Sequence, residues 1–200
     1  MRFLETLLPS TCAGCRKVGR AICDDCLDEL GPTPRLVDRG ISGWSAIDYG
    51  TVATNTINAF KEHGRTALLG DFCKLLDQIE IPAGVVLVGL PSAQNATRKR
   101  GFVPAELLAE RLARRRLLRS AHALVFNRKI DDQAKLSKLE REANLVGAML
   151  AKPVSGAVFL VDDVVTTGAS LNEAARAMAA AGNQVVGFVT IAETILRKDA

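Results

Sequence analysis

Three apolar runs of strand length set the frame of this chain. They are "GVVLVGLP" (Gly84 to Pro91), "GAVFLVDD" (Gly156 to Asp163) and "QVVGFVTIAE" (Gln184 to Glu193). The first is apolar without alternation and bounded by turn residues, which suits a central parallel strand covered on both faces. Helical patterns stand between the runs. Pro104 opens one in which Ala105, Leu108 and Leu112 share a side. "SLNEAARAMAAAG" forms another, stopped by Gly182. "NTINAFKEHG", ended by Gly64, and Arg65 to Glu80 predict two more, the second with Leu69, Cys73 and Leu76 on one face. Cys73 is there a small core residue. "HALVF" (His122 to Phe126) is a further candidate strand. "SKLE" (Ser137 to Glu140) is a capping box, followed by a stripe of Leu139, Ala143, Val146 and Leu150. Strands alternating with helices predict an α/β fold with a mostly parallel sheet and right-handed crossovers.

With 48% apolar residues the chain can bury a core, and 24% charged residues is an ordinary globular share. The net charge of +4 is too mild for a dedicated nucleic-acid binder. From Ser92 to Arg119, however, eight bases stand against two acids. Such a segment is either a solvated helix face or a surface for a phosphate-rich partner. The chain has nine aromatic residues and only two are Trp or Tyr, which argues against base stacking on a single strand. No apolar run approaches the ~20 residues of a membrane span, and Glu5 and Pro9 interrupt the opening stretch, so a cytoplasmic protein is expected.

Four of the five cysteines lie close together, as "CAGCRKVGRAICDDC": Cys12, Cys15, Cys23 and Cys26. Two CxxC pairs can surround one tetrahedral zinc ion, whose role would be structural because no coordination position stays open. A redox pair or a site that no longer holds metal are the alternatives. The expected division is a zinc-binding module over residues 1–30, a linker over 31–48 rich in Pro and Gly, and a main domain over 49–200.

In "FLVDDVVTTGAS" (Phe159 to Ser170) a buried strand ends in two carboxylates, and a Thr-Thr-Gly turn leads into a helix. Ligands of open parallel sheets bind beyond the carboxyl ends of the strands. A helix N-terminus offers free N–H groups to phosphate, Gly168 lets the backbone approach, and Thr166, Thr167 and Ser170 add hydroxyls. Carboxylates upstream accept hydrogen bonds from sugar hydroxyls, so the layout suits a ribose 5-phosphate. An Asp N-cap beside a coincidental turn, or a metal site, are the alternatives. Adjacent acids on a strand point to opposite faces, which disfavours a shared metal.

This stretch resembles the phosphoribosyl pyrophosphate (PRPP) motif of type I phosphoribosyltransferases. Tyr49-Gly50, "FKEHG" at Phe60 to Gly64, "RKRGF" at Arg98 to Phe102, "DQAKLSKLEREAN" at Asp132 to Asn144 and the four cysteines in front are each similar to segments of the ComF family. That family includes proteins linked to uptake of transforming DNA. The resemblance implies a type I phosphoribosyltransferase-like sheet flanked by helices, with the small N-terminal zinc module. It implies Asp162 and Asp163 on the ribose hydroxyls, and Thr166, Thr167, Gly168, Ala169 and Ser170 around the 5-phosphate. Arg98, Lys99 and Arg100 would face the pyrophosphate, where guanidinium groups pair in bidentate fashion, and Mg2+ would accompany PRPP. The chain departs from the family at Val103 and Pro104, where Asn-Gln is usual. Three functional readings follow. One is a phosphoribosyl-transferring enzyme with a role in DNA uptake. The second is a non-catalytic PRPP or nucleoside monophosphate module acting through a competence helicase, with weak contact to single-stranded DNA at most. The third is a purine or pyrimidine salvage enzyme. Lys61 reads equally as a family residue or a solvated lysine. His63 reads as a helix-end residue, and His122 as a packed or solvent-facing one.

Overall fold

The computed structural model describes residues 11–128 and 144–194. Its elements, in chain order, begin with α1 (Asp24–Leu30), β1 (Arg35–Asp38), β2 (Ser42–Asp48) and α2 (Thr51–Lys61). A 3-10 turn (Thr66–Leu68) leads into α3 (Leu69–Leu76), then β3 (Val86–Gly89), α4 (Gln94–Arg100), α5 (Pro104–Arg116) and β4 (Arg119–Ser120). The described remainder is β5 (Leu124–Phe126), β6 (Met149–Ala151), β7 (Val158–Val165), α6 (Ala169–Ala180) and β8 (Val185–Glu193).

Six strands form one sheet in the order β1-β2-β8-β7-β3-β4. Every neighbouring pair is parallel except β1 with β2. Successive side chains of a strand face opposite ways, and the core divides accordingly. Leu87, Phe159, Val161, Val189 and Ile191 pack with Ile57 and Phe60 of α2, Phe72 and Leu76 of α3, and Leu108 and Leu112 of α5. Val86, Val88, Val158, Leu160 and Phe188 pack on the other face against Leu171, Ala174, Ala177 and Met178 of α6. Cover on both faces is why β3 and β7 read as unbroken apolar runs.

Three expectations change. The segment 31–48 is not a linker, because it carries β1 and β2. The second strand pairs in parallel with β8, from Trp44 opposite Val189 to Asp48 opposite Glu193. Pro32 and Pro34 precede an edge strand, where prolines are tolerated. Gly43 is needed for packing, since a Cβ there would collide with the Phe188 ring. Second, "HALVF" does not join the main sheet: β5 and β6 make a separate antiparallel ribbon. Leu150 belongs to that ribbon rather than to a helix, while Leu139, Ala143 and the capping box lie outside the described residues. Third, the cysteine segment docks on the main core, with Cys12, Ile22, Cys26 and Leu30 in one cluster with α2 and α3. Asn55 of α2 donates to the Gly14 carbonyl at 3.0 Å.

The basic segment is largely occupied within the fold. Arg115 Nε donates to Asp77 at 2.8 Å, and Arg114 reaches Glu110 at 3.1 Å. Arg116 donates to the carbonyls of Leu76 and Ile79, and Arg119 to that of Ser155. His122 sits between Glu106 and Glu110 of α5, at 2.8 Å from each, and the bond to Glu106 raises its pKa. Cys73 is buried, and that burial pushes its thiol up to about 11. Among the described residues, no helix is long and apolar enough to cross a membrane.

Candidate functional site

Beyond the carboxyl ends of β3 and β7 lies a cavity of about 470 Å³. Asp162, Asp163, Thr166 and Ser170 line one side, Asn58 and Lys61 of α2 with the following Glu62 another, and Arg100 of α4 a third. The ribbon closes it with Phe126 and Met149. The strand β7 runs two residues past the acids, pairing Val165 with Glu193, so the carboxylates lie within the strand and not at its end. Strand alternation then separates them, as expected. Asp163 is buried, whereas Asp162 is half-buried at the cavity wall.

Asp163 is gripped by Lys61, whose ammonium lies 3.1 Å from one carboxylate oxygen and 3.0 Å from the other. Burial lowers the Lys61 pKa, but the charges of Asp163 and Asp162 outweigh it and hold it above the ordinary value. Asp162 accepts the Asp163 N–H at 2.8 Å. Burial, and then the neighbouring Asp163 charge, push its carboxyl up to about 7. Half the acid pair is thus neutralised internally, and the other half titrates near neutrality. Lys61 was legible only as one of two equal readings, because its partner stands 102 residues away in sequence.

The turn after β7 is shaped by its own chemistry. Thr167 Oγ1 accepts the Ala169 N–H at 3.3 Å, a local side-chain turn. Gly168 caps α6 with a φ of 86°, in the left-handed region. A Cβ on Gly168 would strike Arg39 Cβ and come within 2.8 Å of the Arg39 carbonyl oxygen. Glycine is therefore demanded by the β1–β2 hairpin packed behind the turn as well as by any phosphate in front of it. Arg39 binds that turn directly. Its Nε donates to the Thr166 carbonyl at 3.1 Å, its Nη2 pairs with Glu193, and its own carbonyl accepts from Asn172 at 2.6 Å. Nothing in the hairpin's Pro/Gly-rich sequence marked Arg39.

Of the three bases expected near the pyrophosphate, the structure brings only Arg100 to the cavity. Its side chain is buried, donating to the Lys61 carbonyl at 2.9 Å and to Glu62 at 3.2 Å. Arg98 and Lys99 are exposed on α4, outside the cavity lining. Thr167, Gly168 and Ala169 form the turn without lining the cavity, between the lining residues Thr166 and Ser170.

The four cysteine sulfurs all lie within 4.8 Å of one another, and those of Cys15 and Cys23 are 3.6 Å apart. Zn–S bonds of ~2.3 Å in a tetrahedron separate sulfurs by roughly 3.8 Å, so the donor set and its spacing fit a metal ion. Burial disfavours the Cys12 thiolate, but backbone N–H groups of Cys15, Cys23 and Gly14 prevail and lower its pKa to about 6. Gly14 leaves room for the cluster, since a Cβ there would lie 2.7 Å from the Cys26 sulfur.

Comparison with known proteins follows the same lines. The phosphoribosyl transferase domain family matches residues 96–199. The competence protein ComFC of Bacillus subtilis (strain 168) is 29% identical over 168 residues, which is 79% of this chain and 66% of that protein. The chain thus spans just under two thirds of that relative. Among solved structures, adenine phosphoribosyltransferase from Saccharomyces cerevisiae is 18% identical, covering 86% of this chain and 89% of its own, with a TM-score of 0.35. The enzyme from Rhodothermus marinus DSM 4252 is 17% identical, covering 86% and 88%, with a TM-score of 0.37.

Proposed function

Because this chain belongs to the phosphoribosyl transferase domain family, we propose that its cavity binds PRPP or another ribose 5-phosphate ligand. The observation that carries this is the joining of two carboxylates and a helix-opening turn in one cavity with two cations. Asp162 and Asp163 accept the ribose hydroxyls. The backbone of Thr166 to Ser170 receives the 5-phosphate, aided by the positive end of α6. Lys61 and Arg100 supply positive charge, while Arg98 and Lys99 lie exposed on α4 outside the lining. Mg2+, when bound with PRPP, would neutralise pyrophosphate charge. In the catalytic reading a nucleophile displaces pyrophosphate from the anomeric carbon. The work of the chain is then to hold the ribose and stabilise charge as it develops, with no protein nucleophile.

The likeness to a competence protein supports a role in DNA uptake. A competence helicase is the partner in the non-catalytic alternative, and single-strand contact would be weak because Arg114, Arg115 and Arg116 already have internal partners. Val103 and Pro104, in place of polar residues, and the outward placement of Arg98 and Lys99 favour that binding-module alternative. Salvage of a purine or pyrimidine base leaves the cysteines without a use.

Calorimetric titration with PRPP and Mg2+ tests the site. Saturable one-site binding is expected, and its absence at millimolar ligand overturns the proposal. Pyrophosphate release across a panel of bases and amines then separates the enzyme from the binding module.

The cysteine cluster is proposed to hold structural zinc. Elemental analysis is expected to find about one zinc per chain, lost in Cys26→Ser and retained in Cys73→Ser, whose thiol lies in the core away from the cluster. Reduced protein without zinc would refute the assignment.

A further inference from the structure

The β5–β6 ribbon shares no strand ladder with the main sheet, yet two of its residues wall the cavity. These are Phe126 and Met149, direct cross-strand partners. The ribbon is fastened from α6. Glu173 Oε1 accepts the Met149 N–H at 2.9 Å, and Arg176 Nη2 donates to the Met149 carbonyl at 3.0 Å. Arg176 also grips Glu173 with two bonds of 2.8 Å. Two side chains one helical turn apart thus offer Met149 the acceptor and the donor that a neighbouring strand would have supplied. Burying the Glu173 carboxylate would be costly without this pairing. Arg176 and the Met149 N–H outweigh burial and keep its pKa low.

On the ribose 5-phosphate reading of the cavity, the acids and the turn engage the sugar and its phosphate. A ring attached at the anomeric carbon must then meet the remaining lining, whose bulky apolar side chains include Ile57, Leu90, Phe126 and Met149. We infer that Glu173 and Arg176 are positioning residues: they fix the Phe126–Met149 wall, and through it set the preference for a nucleoside 5′-monophosphate over bare ribose 5-phosphate. The planar guanidinium suits this task because it binds a carboxylate and a carbonyl in fixed geometry.

The test compares two probes on one protein. Calorimetry measures ribose 5-phosphate and the four common nucleoside 5′-monophosphates with wild type, Arg176→Met and Arg176→Lys. Wild type is expected to bind at least one monophosphate more tightly than ribose 5-phosphate. Arg176→Met should lower that monophosphate's affinity roughly three- to ten-fold, the scale of one lost hydrogen bond, and leave ribose 5-phosphate unchanged. Arg176→Lys, which keeps a donor, should recover part of the loss. Unchanged ribose 5-phosphate binding doubles as proof that the variant is folded. Equal losses for both probes, no loss for either, or no monophosphate preference in wild type overturns the inference. Wild type that binds neither probe overturns the ribose 5-phosphate reading itself, a result distinct from a lost preference.

Discussion

Gly168→Val is expected to destabilise the chain by at least about 2 kcal/mol and to abolish ligand binding. The residue sits at a φ of 86°, where a β-branched side chain is strained. Its new Cβ would also meet the backbone of Arg39, which cannot swing aside as the tip of a side chain could. Arg39 in turn holds Thr166, Asn172 and Glu193, so a shift of the hairpin propagates to the phosphate turn and to the end of β8. For a chain of this size the melting temperature should fall by roughly 4–8 °C or more. Thermal melting and calorimetry with PRPP check both halves. A variant that melts with wild type would show that the hairpin yields easily and that the glycine serves the ligand alone.

Asp163→Asn is expected to weaken ribose-ligand binding ten- to hundred-fold while the fold survives. Removing one charge-assisted hydrogen bond costs ~1.5–3 kcal/mol, which is that range in affinity. The amide keeps the shape and one acceptor, but it leaves the Lys61 ammonium without its counter-charge. Lys61 is half-exposed and can turn to solvent, which limits the damage to the folded state. The matched control is Asp71→Asn, an acid paired with Lys74 away from the cavity, which should leave affinity unchanged. Wild-type affinity in Asp163→Asn would remove this carboxylate from the ligand's contacts.

What could be read from the chain in advance was local. The strand–turn–helix over Phe159 to Ser170 and the paired CxxC groups are short patterns in which neighbours in sequence are neighbours in space. Continuous apolar runs identified β3, β7 and β8 because both faces of each are covered. Residues whose meaning depends on distant partners stayed hidden. Lys61 looks like any lysine near a helix end until β7 brings Asp163 to it. The arginines after Arg111 look like a free basic surface until Asp77, at the end of α3, is placed against Arg115. "HALVF" has the composition of a core strand, but only three of its residues are extended, and its partner is a short strand beyond the main sheet. The 31–48 segment was misread because its Pro and Gly residues serve an edge strand and a tight approach to Phe188, both invisible without the partner strand.

The pairing of β2 with β8 has a consequence for how the chain reaches this state. Asp48 and its partner Glu193 lie near opposite ends of the described chain, and the Arg39–Glu193 bond spans 154 residues. Contacts so far apart carry a large loop-closure entropy and slow the search for the native topology. The cysteine cluster and α2 meet through contacts close in sequence and can order early. By contrast, β2 must wait for β8, on the order of ten seconds at ordinary rates of synthesis. During that interval β2 presents an unpaired edge, joined by that of β7 only in the last few seconds, the exposure that invites strand pairing between chains. A slow stretch of translation before Val185 would lengthen it. The vulnerable period of this protein's life is set by the last described strand, which completes the sheet and closes the turn behind the cavity in a single event.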